Sequence, residues 1–245
     1  MMKALIALVL VIVPAVSWAA GEAVPLHAAN IDLEDTASLQ RGAKYFINYC
    51  LSCHSAAYMR YNRLARDLGL TERQVQDNLM FAAEKIGEAL QVAMTPTQGK
   101  QWFGTPPPNL SLVARARGVD WLYTYLLSFY LDASRPFGVN NRVFKDVAMP
   151  HVLSELQGWQ APLYITVEKG GKVHKIIDGF KIVQAGTMKE EEYKQVVRDL
   201  VTFLAYIGEP TRLERERIGV WVIAFLVMFW VIAYLLKKEY WKSVH

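Results

Sequence analysis

A mainly α-helical domain with a small β-hairpin, followed by one C-terminal membrane-crossing helix, is the fold class this sequence predicts. Three observations predict it. Apolar residues recur at helical spacing in several segments, a pair of short alternating runs surrounds Gly170-Gly171, and Ile218 to Leu236 contains no charged residue. Pro and Gly punctuate these segments, with no internal repeat or low-complexity tract.

At the N-terminus, Lys3 precedes the apolar stretch Ala4 to Val13, which is followed by Pro14 and the small-residue site Ser17-x-Ala19. This is the pattern of a secretory signal peptide over residues 1–19, with an apolar core too short to span a bilayer. The exported domain then covers residues 20–210. Between Ala20 and Glu209 it carries twenty acidic and twenty basic side chains, so the net charge of +4 comes from the signal peptide, the pre-membrane segment and the tail. A formally neutral domain argues against nucleic-acid binding, which needs a basic face. Roughly 190 residues are enough for one well-filled core.

The first helix starts at about Ser38 and places Leu39, Ala43, Phe46 and Tyr49 near one face, while Gly42 leaves room for another helix to approach closely. It runs into Cys50-Leu51-Ser52-Cys53-His54. Cys-x-x-Cys-His is the attachment pattern of a c-type haem: two thiols one helical turn apart each add to a haem vinyl group, and the adjacent imidazole points at the iron. A thioredoxin-type pair would follow a strand, and a structural zinc site takes four ligands, whereas these are the only two cysteines in the chain. One covalently attached haem c is therefore expected, held by Cys50 and Cys53 with His54 on the metal.

Further helices are expected near Leu70 to Val92 and Asp120 to Leu131. Gln98 to Leu110 contains Pro106-Pro107-Pro108 and is not expected to be regular helix. Leu163 to Glu168 and Lys172 to Ile177 read as the hairpin. Thr187-Met188-Lys189-Glu190 reads as a capping box, opening a helix to about Ile207 with Tyr193, Val196, Val197, Leu200, Phe203 and Leu204 on or near one face. Terminal helices crossing beside a haem make a cytochrome c-like domain with inserted loops.

Residues 211–217 form a charged juxtamembrane segment. Residues 218–236 form the span, about 28 Å long at 1.5 Å per residue and close to the hydrocarbon thickness of a bilayer. Tyr240 and Trp241 lie at the level of an interfacial belt. Three basic residues stand on each side, Arg212, Arg215 and Arg217 before and Lys237, Lys238 and Lys242 after, so orientation rests on the signal peptide. It leaves the haem domain outside the cytoplasm, on the periplasmic side in a bacterium, and the tail 237–245 inside.

A second axial ligand decides what the iron does, because Met raises the potential and leaves no open position. The candidates are Met59, Met80, Met94, Met149, Met188, His151 and His174. Met59 lies too close to His54 to reach around the ring, Met80 sits in a helical pattern, Met188 opens the last helix and His174 belongs to the hairpin. Met94, in a loop before Pro96, and Met149 are not separated by spacing alone.

The ordered set Arg41-Gly42, Cys50-x-x-Cys53-His54-Ser55, Pro107-Pro108-Asn109-Leu110-Ser111 with Ala114-Arg115-Ala116-Arg117, Ala148-Met149-Pro150, Thr187-Met188, Phe203-Leu204 and Glu209-Pro210 before a single span resembles the cytochrome c1 family. The resemblance covers nearly all of the mature chain, and it is the order of the motifs, more than any one besides the haem signature, that makes it specific. It implies that His54 and Met149 are the axial ligands. It also implies that Arg117 lies near a haem propionate and that the Pro107-Pro108 loop packs against the haem beside His54. By the same resemblance the chain moves single electrons from a Rieske iron–sulfur protein to a soluble cytochrome c. It does so as a respiratory-chain subunit with cytochrome b and the Rieske protein in a dimeric quinol–cytochrome c oxidoreductase, and would not turn over quinol alone.

Elementary chemistry is consistent with these roles. Arg offers a planar fork to a carboxylate, a ligating His usually donates its other ring N–H to a carbonyl or carboxylate, and Pro offers a carbonyl with no competing N–H. Two other readings use the same motif. A free-standing tethered cytochrome would have a Gly/Pro/Ser-rich tether, which does not precede Ile218, and a haem sensor would bind carbon monoxide at an open iron position. Replacing both Cys50 and Cys53 with Ser is expected to leave an exported protein without acid-stable haem; full covalent haem in that double variant overturns the attachment.

Overall fold

The structure, a computed structural model, describes residues 24–169 and 172–243; the predicted signal peptide at 1–19 lies outside the described residues. Asp35 begins α1 (Thr36–Tyr45) by accepting from the Ser38 N–H at 3.0 Å, which satisfies one of the free donors at a helix start. After Tyr45 the helix loosens into a π turn, Phe46–Cys50, closed by the Leu51 N–H on Phe46 O at 2.9 Å. The extra residue in that turn changes which face the following residues occupy.

Next come β1 (Ala56–Arg60), α2 (Tyr61–Asp67), α3 (Glu72–Leu79) and β2 (Ala89–Leu90), with β1 and β2 paired antiparallel. The single helix expected from Leu70 to Val92 is therefore cut to its first third. Thr71 caps it and accepts from the Gln74 N–H at 3.2 Å. Beyond Met80 the carbonyls of Ile86 and Glu88 accept from the Asn62 and Tyr61 N–H groups at 2.8 and 3.1 Å, so backbone groups that a longer helix would use internally go to another segment. The expectation for Gln98 to Leu110 also needs correction, because α4 (Pro96–Phe103) is regular helix. Pro at its first turn costs no hydrogen bond, Thr95 and Gln98 cap it reciprocally, and Gly104 ends it at φ 79°. Only the following stretch with Pro106 to Pro108 is irregular.

The chain continues through α5 (Val113–Arg117) and α6 (Val119–Leu127), then β3 (Phe129–Leu131) and β4 (Val139–Asn141). Helix expected to Leu131 ends four residues early, where Phe129 to Leu131 pair with Asn141 to Val139. After α7 (Ser154–Gln157), the hairpin is longer at its base than the two short runs suggest, β5 (Gly158–Lys169) against β6 (Lys172–Ala185). Its outer part exposes Leu163, Tyr164, Ile165 and Val173.

The last helix of the domain is α8 (Glu190–Gly208). Its start differs from the expected capping box: Thr187 Oγ1 donates to Glu155 O at 3.1 Å, and the Glu192 carboxylate accepts from the Lys189 N–H at 2.9 Å. Helix α9 (Arg212–Tyr240) runs through the expected span and residues 212–217 of the expected juxtamembrane segment, and is the one helix among the described residues long and apolar enough to cross a membrane.

Helices α1 and α8 cross at Gly42, where a Cβ would stand 2.7 Å from Phe203 Cβ and closer still to the Asp199 carbonyl. Phe46 and Phe203 pack beside this point with ring centroids 5.4 Å apart. Buried Asp199 on α8 accepts from Ser38 Oγ at 2.7 Å, Arg41 Nε at 2.6 Å and Gln195 Nε2 at 2.9 Å. Gly42→Ala is expected to destabilise the domain by about 1–3 kcal/mol through overpacking, or roughly 2–12 °C in Tm. An unchanged melting curve would show that the helices separate without cost.

Candidate haem site

Cys50 ends the π turn, and one further turn of backbone carries the chain to His54, with the Cys53 and His54 N–H groups both donating to Cys50 O at 3.1 and 2.8 Å. The tight turn fixes the two thiols and the imidazole relative to one another. Both cysteines are free thiols; Cys50 is buried and Cys53 half-buried. Burial, with a smaller contribution from Cys53, pushes the Cys50 thiol up to about 12, so its thiolate is disfavoured in the folded chain.

The Pro-rich stretch docks on this turn. Leu110 N–H donates to Ser55 O at 2.8 Å, and His54 Nδ1 lies 2.8 Å from Pro108 O. A carbonyl can only accept, so Nδ1 carries the proton and Nε2 keeps its lone pair. Burial lowers the His54 pKa and the bond to Pro108 opposes it, with the net effect favouring the neutral imidazole that can ligate a metal. Met94 belongs to this side as well. Its sulfur lies 3.7 Å from the point where a Cβ on Gly99 would stand, and Pro107 Cδ lies 2.7 Å from that point.

Met149 sits in a separate apolar cluster with Phe129, Val139, Val147, Tyr125 and Trp159. The loop that carries it is shaped by two buried asparagines on β4. Asn141 Oδ1 accepts from the Val143 and Phe144 N–H groups at 3.0 and 3.2 Å, its Nδ2 donates to Tyr125 O at 2.8 Å, and Asn140 Oδ1 accepts from the Asp146 N–H at 2.8 Å. Asp146 itself adopts φ 62°, a conformation Asp tolerates better than most residues. Tyr125 Oη donates to Met149 Sδ at 3.4 Å. His151, two residues on, stacks face to face on Phe129 with centroids 5.0 Å apart, and burial holds its pKa down to about 4.

Arg117 is exposed at the end of α5, with its guanidinium 5.1 Å from the Trp121 centroid and 5.8 Å from that of Phe144. Trp121 stacks on Tyr125 at 5.0 Å, and Tyr125 meets Phe129 edge-on at 5.0 Å. The predicted site residues thus fall into two groups. His54, Cys50, Cys53 and Pro108 share one local unit, whereas Arg117 and Met149 are joined to each other through Trp121 and Tyr125. Phe103 of α4 meets Phe137 of the β3–β4 turn at 5.8 Å, which links the two sides. Sequence reasoning passed over Tyr125, although Arg117, Trp121, Tyr125 and Phe129 recur at a spacing of four.

The imidazole of His54, with Nδ1 engaged by Pro108 O, the two thiols beside it and, in a separate aromatic cluster, the Met149 thioether are the side chains that could hold a haem and its iron. A Cys-x-x-Cys-His turn in a mainly α-helical domain is the pattern of a haem protein of electron transport. The chain belongs to the cytochrome c1 family, which it matches over residues 27–86 and 93–244, and whose members are the haem-bearing electron-transfer subunits of cytochrome bc1 complexes.

It is 53% identical to cytochrome c1 of Allochromatium vinosum over the full length of both chains. It is 44% identical to a protein of Nitrosomonas europaea named ammonia monooxygenase gamma subunit, over 97% of each chain. It is 22% identical to the mitochondrial cytochrome c1 heme protein of Saccharomyces cerevisiae, over 94% of this chain and 72% of the relative.

Proposed function

We propose that this chain holds one haem c through thioether bonds at Cys50 and Cys53, with His54 and Met149 as its axial ligands. It receives single electrons from a Rieske iron–sulfur protein and passes them to a soluble cytochrome c, within a dimeric quinol–cytochrome c oxidoreductase that also contains cytochrome b. The observation that carries this reading is the 2.8 Å contact of His54 Nδ1 with Pro108 O, which orients the imidazole and leaves Nε2 for iron. When bound, the haem supplies a one-electron couple.

Everything else is the work of the chain's own groups. Cys50 and Cys53 would hold the haem through thioether bonds, and the backbone turn at Cys50 fixes His54 beside them. Met149 would supply a thioether, a soft donor that favours the reduced state. Its placement among Tyr125, Phe129 and Trp159 supports it over Met94, whose sulfur lies near Gly99, the residue that Pro106 and Pro107 approach. The Arg117 guanidinium lies 5.1 and 5.8 Å from the Trp121 and Phe144 ring centroids and is exposed, and its planar fork of N–H donors suits a propionate carboxylate. No group has to bind a substrate or move a proton, and quinol oxidation belongs to the neighbouring subunits.

The signal peptide and α9 support a single-pass arrangement with the haem domain outside the cytoplasm and residues 237–245 inside. Ending the chain after Pro210 is expected to release a soluble haem domain with its spectrum intact. Retention of that product on membranes free of partner subunits would show another anchor.

For the ligand, Met149→Leu keeps the volume and removes the sulfur. It is expected to abolish the sulfur-to-iron charge-transfer band and lower the reduction potential substantially, while Met94→Leu changes neither. The opposite pattern would transfer the role to Met94. Co-purification of the full chain with a cytochrome b tests its place in the complex.

A further inference from the structure

Tyr125 is a largely buried phenol whose hydroxyl donates to Met149 Sδ. A thioether is a weak acceptor, and a hydroxyl removed from water normally finds a stronger one. The ring is held independently of that bond. Trp121 stacks on one side at 11°, Phe129 and Phe144 approach edge-on at 71° and 73°, and the Tyr125 carbonyl accepts from Asn141 Nδ2. The same asparagine shapes the loop that leads to Met149. Donor and sulfur are thus brought together by one hydrogen-bonded unit, so their contact does not depend on the attraction between them.

We propose that Tyr125 is a positioning residue for the electron-transfer centre, acting through its hydroxyl on the Met149 sulfur: it fixes the orientation of the thioether and tunes how strongly that sulfur donates to iron. This rests on the reading of Met149 as the sixth ligand. A thioether sulfur has two lone pairs. With one shared with the Tyr125 hydroxyl, the other is a weaker donor, and a weaker donor stabilises the reduced iron relative to the oxidised. The hydroxyl therefore raises the reduction potential, and a fixed sulfur reduces the rearrangement that accompanies each electron transfer.

Tyr125→Phe removes the hydroxyl while retaining the ring and its aromatic contacts. In the full-length, haem-loaded chain it is expected to keep the sulfur-to-iron band at a shifted wavelength and to lower the reduction equilibrium constant by about three- to tenfold, the range of one neutral hydrogen bond; tenfold corresponds to about 59 mV for one electron. Tyr123→Phe, on the same helix, is expected to change neither.

The decisive comparison repeats Tyr125→Phe in the Met149→Leu background, where no sulfur remains. There the hydroxyl should have no effect on potential, whereas a purely structural role would produce the same shift in both backgrounds. An equal shift, or no shift in the parent chain, overturns the proposal. If Met149→Leu alone keeps the band, the ligand assignment fails instead, and the two failures are distinguished.

Discussion

Where α1 and α8 cross, the backbone of one helix lies against the backbone of the other because Gly42 carries no side chain. The position of everything attached to the end of α1 depends on that contact. A Cβ there would push α1 away from Asp199 and Phe203, and Cys50 and His54 would move with it. Rotation about the contact is limited by Asp199, a buried carboxylate that joins Ser38 and Arg41 of α1 to Gln195 of its own helix. Burying a carboxylate is costly unless its oxygens are satisfied; with these donors in place it sets the register of the crossing.

The two sides of the site are attached to this frame by different means. The His54 side is local in construction: a π turn, one further turn of backbone, and a Pro-rich stretch joined to it through Leu110 and Pro108. The Met149 side is built from the middle of the chain, where β3 and β4 pair and the side chains of Asn140 and Asn141 replace regular hydrogen bonding in the loop that follows. Tyr193 of α8 ties this region back to the frame by donating to Leu126 O at 2.8 Å.

Between them runs the aromatic series of Trp121, Tyr125 and Phe129, with Arg117 at its outer end and His151 stacked at its inner end. Aromatic side chains fill volume with few rotatable bonds, and the series contacts both the Met149 sulfur and the Arg117 guanidinium. Polar atoms in it are few. The neutral state of His151 and the raised pKa of Tyr125 both follow from burial in that apolar setting.

Features encoded within a few consecutive residues were legible in the sequence alone. The Cys-x-x-Cys-His turn, the uncharged run within α9, the apolar face of α8 and the Gly-centred hairpin each rest on local chemistry or on one element's own periodicity. Gly42 was legible as a point of close approach for the same reason.

What tertiary structure decided is where a residue's partner is distant in sequence. The segment after Met80 leaves the helix because Tyr61 and Asn62 take its carbonyls; Thr187 leaves the cap position for the Glu155 carbonyl; Phe129 to Leu131 become a strand because Val139 to Asn141 lie alongside. Spacing could not separate Met94 from Met149 for the same reason. A methionine's surroundings are set by the elements that fold around it, and only the folded chain puts one sulfur near Gly99 of α4 and the other within reach of the Tyr125 hydroxyl.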